Sequence, residues 1–141
     1  MTQEEKDLLL KDLCARLPYG VYVLVHDTFE YSTVPFEKVY LKSSDISSLI
    51  DSISLNERYN SKDKRFNRII KERKDFLEFK PYLLPLSSMT EEQKLEEYKL
   101  MNSNFYTSTV ELPDFYNKNH IDYRGLIPKG LAIDATGLNI Y

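Results

Sequence analysis

Cysteine is almost missing: Cys14 is the single one in 141 residues. No intrachain disulfide is available, and a reducing, cytoplasmic setting fits. The fold must then rest on core packing. A domain of ~150 residues can do this, because it buries roughly two-thirds of its unfolded surface, and the length points to one domain over 1–141. Glycine (four) and proline (six) are also scarce, which argues against long flexible linkers. No run approaches the ~18–20 apolar residues of a membrane span, so no membrane partner is expected. The polar, acidic start Met1–Asp7 does not look like a secretion signal. Tryptophan is absent, yet there are eleven tyrosines. Tyrosine suits interfaces, since the ring buries apolar area while the hydroxyl finds a partner. An AT-rich coding sequence, which also raises Lys, Asn and Ile, is the simpler account.

The chemistry-bearing residue types are equally sparse. Cys14 shares a helical apolar face with Leu10, Leu13 and Leu17. Buried cysteine behaves as a small hydrophobe, whereas a catalytic thiol needs an exposed, electropositive niche. His26-Asp27 and His120-x-Asp122 lack the tight ligand spacing of zinc sites. The pairs Glu4-Glu5, Glu91-Glu92 and Glu96-Glu97 fall on helix starts and solvated faces, not in a converging cleft. Gly125 to Gly130 contains Pro128 and follows no strand, unlike a phosphate-binding loop. No catalytic, cofactor or metal site is expected, and the chain reads as a non-enzyme.

The local signals are clearer. Thr2-Gln3-Glu4-Glu5 is a capping box ahead of helical apolar spacing, so 3–16 reads as a helix stopped by Pro18 and Gly20. Val21–Val25 reads as a strand, with His26-Asp27 starting a turn. Residues 29–42 read as one or two short strands interrupted by Pro35. A short helix is favoured around 46–53 and a second over 63–77, with a β-hairpin over 46–72 as the alternative. Pro81 and Pro85 hold the backbone extended from about 79 to 86 and divide the chain into two regimes. Thr90 and Gln93 form a capping box for a helix over 91–101. A loop, a short helix at 112–119, and a turn, a helical piece and an extended stretch complete the chain. The expected fold is α+β: an N-terminal helix, a small antiparallel sheet with partial closure into a barrel as an option, and C-terminal helices alongside.

Three blocks carry a resemblance: Lys11-Asp12-Leu13-Cys14-Ala15-Arg16-Leu17-Pro18-Tyr19-Gly20-Val21; Lys80-Pro81-Tyr82-Leu83 with Pro85-Leu86-Ser87-Ser88-Met89-Thr90; and Asp122-Tyr123-Arg124-Gly125-Leu126-Ile127 with Lys129-Gly130-Leu131-Ala132. They resemble a group of short uncharacterised proteins of gut bacteria and of their phages and mobile elements. Leu84 stands where an arginine is usual there, Pro128 where an acidic residue is usual, and 43–78 is longer than in most members. The group has no established activity, so the resemblance implies a context only: a small accessory protein, phage-borne or carried on a mobile element.

Charge supplies the candidate contact residues. Arg58 to Lys74 holds eight basic and two acidic residues, a net +6 that leaves −9 for the rest of a chain whose total is −3. On a helix, Lys62, Arg65, Arg68 and Lys71 or Glu72 would line one outer face, and with Arg58 the basic residues Lys62, Arg65, Arg68 and Lys71 are the candidate contacts to phosphates or to a protein partner; a solvated helix face is the plainer reading. The functional expectation is a non-enzymatic protein-interaction module, a regulator or inhibitor of a host system. A nucleic-acid-binding protein using 58–74 is the alternative, and a homo-oligomer is compatible with either.

Overall fold

A computed structural model describes residues 2–27, 37–41 and 77–141. The fold is α+β. Two compact units divide it, Met1–Tyr82 and Leu83–Tyr141. The break falls inside the proline-punctuated stretch that separates the two sequence regimes.

The first unit opens with α1 (Gln3–Arg16). Its capping box is formed as expected: the Glu5 N–H donates to the Thr2 hydroxyl at 3.2 Å and the Thr2 N–H to the Glu5 carboxylate at 2.7 Å. The helix ends in a 3-10 turn over Leu17–Tyr19, with Pro18 just inside it. Strand β1 (Val21–Asp27) pairs antiparallel with β2 (Glu37–Leu41) on one side and β3 (Leu77–Leu83) on the other. The turn expected at His26-Asp27 is corrected: both residues stay in the strand, opposite Glu78 and Leu77 of β3. Leu77 is likewise a strand residue, not the end of a helix. Val21 and Val23 are buried while Tyr22 is half-buried, the two-residue period of a pleated strand. Among the described residues of this unit, Leu9, Leu13, Leu17, Leu41 and Phe79 are buried with them. The expected elements between Ser44 and Phe76 lie outside the described residues.

Gly20 couples the helix exit to the sheet. Its φ of 76° with ψ of 143° lies where side chains are scarcely tolerated. A Cβ placed there would overlap the Tyr40 ring, which tilts against Tyr22 at 4.8 Å and whose hydroxyl donates to the Tyr19 carbonyl. Gly20→Ala is therefore expected to cost about 2–3 kcal/mol, from backbone strain plus displacement of the ring. Urea unfolding measures it; a loss below about 0.5 kcal/mol would mean that Tyr40 does not sit there.

The second unit begins at Leu83. Extended backbone ends at Pro85, then Leu86–Ser88 form a 3-10 turn. Helix α2 (Glu91–Met101) follows, then a π-helical turn over Thr107–Glu111, α3 (Leu112–Lys118) and the two-residue strand β4 (Ile133–Asp134). The loop expected after Met101 is shorter than the sequence suggests, because helical backbone resumes at Phe105. The expected helical piece after Gly125 is instead a run of turns. Among the described residues the sheet is mixed, in the order β2-β1-β3-β4, and does not close into a barrel.

Two of the three blocks that carry the family resemblance are knitted together here. The Leu84 N–H donates to the His120 carbonyl and the Asp122 N–H to the Leu84 carbonyl, both at 2.8 Å, and the Ala135 N–H donates to the Leu83 carbonyl at 2.8 Å. Buried Asp122 then accepts the backbone N–H groups of Leu126 and Ile127, each at 2.8 Å. Gly125 and Gly130, with φ of 71° each, let the chain double back, so that the Leu131 N–H reaches the Leu126 carbonyl at 2.9 Å. The blocks are scaffold: they build a closed loop around a buried carboxylate.

Candidate protein-docking surface

The residue types able to carry chemistry take positions within the fold. Cys14 is half-buried, and burial pushes its thiol up, away from the thiolate that a nucleophile requires. His26 lies within β1. His120, at a left-handed φ of 58°, stacks on the Tyr141 ring at 3.5 Å. The Asp122 carboxylate is used by two backbone N–H groups, and the same two amides are thereby withheld from any phosphate at the Gly125–Gly130 loop. Glu5 caps α1, and Glu91 pairs with Lys94 at 2.9 Å. Among the described residues, no three His, Cys, Asp or Glu side chains stand where they would hold a metal ion. Nor is any helix there long and apolar enough to cross a membrane. Arg58, Lys62, Arg65, Arg68 and Lys71 lie outside the described residues.

What does emerge is a helix facing the wrong way. Thr90 and Gln93 close the expected capping box of α2, with N–H to oxygen distances of 2.9 and 3.2 Å. An amphipathic surface helix normally turns its apolar stripe to the core. Yet α2 has no buried residue at all. Its inner side is largely polar. Gln93 donates to the Asn119 amide oxygen at 3.2 Å, and the Glu97 carboxylate receives the Tyr116 hydroxyl at 2.5 Å. Leu100 joins them, half-buried against the cluster of Met89, Phe115 and Ile121. The larger apolar side chains point outward: Leu95, Tyr98 and Met101 are all exposed, Tyr98 by 66%.

Exposed apolar side chains also follow the helix in sequence. Phe105 is 84% exposed, the most of any large hydrophobic side chain among the described residues, and Tyr106 and Val110 lie beside it in sequence, also exposed. Their backbone is held by an Asn104 side chain that accepts the Thr107 N–H at 2.8 Å and by a Thr109 hydroxyl that donates to the Phe105 carbonyl at 2.5 Å. The Leu112 N–H bonds back to Thr107, five residues earlier, which makes this turn a π-bulge. Pro113 supplies a reason: its ring collides with the carbonyl four residues back in a regular α-helix and it has no N–H to give. Single π-turns inside helices recur at functional sites.

The anchor beneath this face has its own chemistry. Tyr116 stacks on Tyr123 at 4.8 Å, and the Arg124 guanidinium lies 4.6 Å over the Tyr123 ring. Burial first, then the hydrogen bond to Glu97 and its charge, push the Tyr116 phenol well above its ordinary range. A raised value in the folded state means that the stabilisation is present in full below about pH 10, the unfolded value, and is lost as pH rises through the folded value. Tyr116→Phe is expected to cost about 1 kcal/mol at neutral pH. The wild type should then lose part of that advantage above about pH 10. Unfolding curves of the two proteins against pH test this; a gap that widens with rising pH would contradict it.

Exposed Leu95, Tyr98, Met101, Phe105, Tyr106 and Val110 are the residues that reading the sequence overlooked. A signal was present: Leu95 and Tyr98, at i, i+3 spacing, lie on the side of the helix away from Gln93 and Glu97. Comparison of the chain with protein-family models, curated proteins and solved structures finds no match.

Proposed function

We propose that this chain is a non-enzymatic protein-binding module that acts in the cytoplasm by stoichiometric docking through the α2 and π-turn face. One observation carries the reading: α2 buries none of its residues while it and the following turn hold Leu95, Tyr98, Met101, Phe105 and Tyr106 in solvent. Apolar patches of this kind on a folded surface mark interaction sites, and aromatic side chains are the typical anchors of protein interfaces. The resemblance to phage and mobile-element proteins favours a regulator or inhibitor of a host system over a housekeeping role.

The test is retention of a host protein by the immobilised full chain, with Tyr98→Ala/Phe105→Ala as the comparison. A protein held by the wild type and lost by the double variant supports the reading. Nothing held, or equal retention by both, contradicts it. The nucleic-acid alternative rests on the +6 charge between Arg58 and Lys74. It predicts steeply salt-dependent DNA or RNA binding that Arg65→Glu/Arg68→Glu abolishes and Tyr98→Ala/Phe105→Ala leaves intact.

A further inference from the structure

We infer that α2 is a hinged strap: it detaches from α3 as one piece while the rest of the Leu83–Tyr141 unit stays folded. No partner is needed for this motion, so it stands apart from the docking reading. Within α2 only Gln93, Glu97 and Leu100 are half-buried, and every other residue is exposed. Their i, i+4, i+7 spacing makes one narrow seam. Two of the three are polar: Gln93 donates to Asn119 at 3.2 Å, and Glu97 accepts from the Tyr116 hydroxyl at 2.5 Å. Leu100 adds the apolar contact, against the Met89, Phe115 and Ile121 cluster.

Both ends of α2 are closed from within. Thr90 and Gln93 cap its start, and the Asn102 side chain donates to the Tyr98 carbonyl at 2.8 Å at its end. Asn104 already belongs to the next helical stretch, because its side chain accepts the Thr107 N–H at 2.8 Å. That leaves Ser103 as one hinge. The other is the junction of buried Met89 with the cap at Thr90. The seam is weak beside the fold that carries it. A hydrogen bond, or a half-buried leucine, shifts a population about five- to tenfold. Three such links hold α2 closed by roughly 10²–10³, whereas a folded domain is held by about 10⁴ or more. A free helix of this length is marginal in water, so release and melting of 91–101 go together. Opening takes Leu100 off the Met89, Phe115 and Ile121 cluster and leaves that side of it in water.

Native-state hydrogen exchange of the full chain in low urea tests this. The N–H groups of Leu95 to Met101 are expected to exchange at least about tenfold faster than those of Leu84, Asp122 and Leu131, which are bonded within the same unit. Their dependence on urea should be less than about half as steep, since opening α2 exposes little surface. Gln93→Ala/Glu97→Ala/Leu100→Ala cuts the seam and keeps good helix formers in place. In that variant the α2 amides should lose nearly all protection, while Leu84, Asp122 and Leu131 stay protected at least about 100-fold. Equal rates and equal urea slopes for the two sets in the wild type overturn the inference, because α2 then opens only with the whole unit. So does a variant that unfolds throughout, or one whose α2 amides remain protected. The docking reading is judged separately, by retention of a host protein.

Discussion

Replacing Asp12 with alanine is expected to remove about 3–5 kcal/mol of folding stability. Asp12 and Arg16 sit one turn apart on α1, both fully buried, joined by two hydrogen bonds of 2.7 and 3.0 Å. Breaking a buried pair by deleting one partner leaves a guanidinium without its carboxylate in a place that water does not reach. That penalty exceeds what the intact pair adds over an apolar replacement, because both charges were desolvated to make it. The loss is a large share of the roughly 5–15 kcal/mol that hold a domain together, and corresponds to about 10–20 °C in melting temperature for a chain of this size. Arg16→Ala should be similarly damaging. The double change Asp12→Leu/Arg16→Met should recover most of the loss, since it removes both charges together. Thermal unfolding of the four proteins gives the coupling directly. A cost below about 1 kcal/mol for Asp12→Ala would place the pair in solvent.

The second large effect is on binding, not on stability. Tyr98→Ala/Phe105→Ala removes two exposed rings that make no core contact, so folding stability should stay within about 0.5 kcal/mol of wild type. Central interface aromatics each contribute ~2 kcal/mol or more when a partner covers them. Together they predict a loss of about 4 kcal/mol, roughly a thousandfold in affinity. This divergence separates a docking face from a structural one. An exposed ring that served the fold would move stability, and one that served nothing would move neither.

Local rules were legible in the chain, and non-local ones were not. The bounds of α1 and α2 follow from two capping boxes, Thr2 with Glu5 and Thr90 with Gln93, because each box satisfies orphan N–H groups within four residues. The end of β1 was misplaced because His26 and Asp27 are kept in the strand by Glu78 and Leu77, some fifty residues away. Local spacing carries no trace of that pairing. The resumption of helix at Phe105 was hidden by Thr107-Ser108-Thr109-Val110, which are poor helix formers held here by Asn104 and by the Thr109 hydroxyl. Asp12 and Arg16 were visible as an i, i+4 pair, but their burial was not, since surface pairs have the same spacing. The proposed docking face was obscured by its own composition. Glu91, Glu92, Glu96 and Lys99 make α2 look like a solvated helix, and only the polar anchoring of Gln93 and Glu97 reveals that its apolar side faces out.

The structural role of the stretches around Leu83 and Asp122 follows from their hydrogen bonds. The Asp122 N–H donates to the Leu84 carbonyl and the Ala135 N–H to the Leu83 carbonyl, and the Asp122 carboxylate closes the Gly125–Gly130 loop. Such a scaffold holds the Met89, Phe115 and Ile121 cluster on which α2 is seated. Its specificity lies in construction, whereas the exposed residues between the blocks are free to serve a partner.

The most direct test of the account is hydrogen–deuterium exchange of the full chain, alone and saturated with the host protein it retains. Protection should appear over 91–111, where Tyr98 and Phe105 lie, and should be absent when Tyr98→Ala/Phe105→Ala is mixed with the same protein. Protection confined to other parts of the chain, such as Arg58 to Lys74, would contradict it.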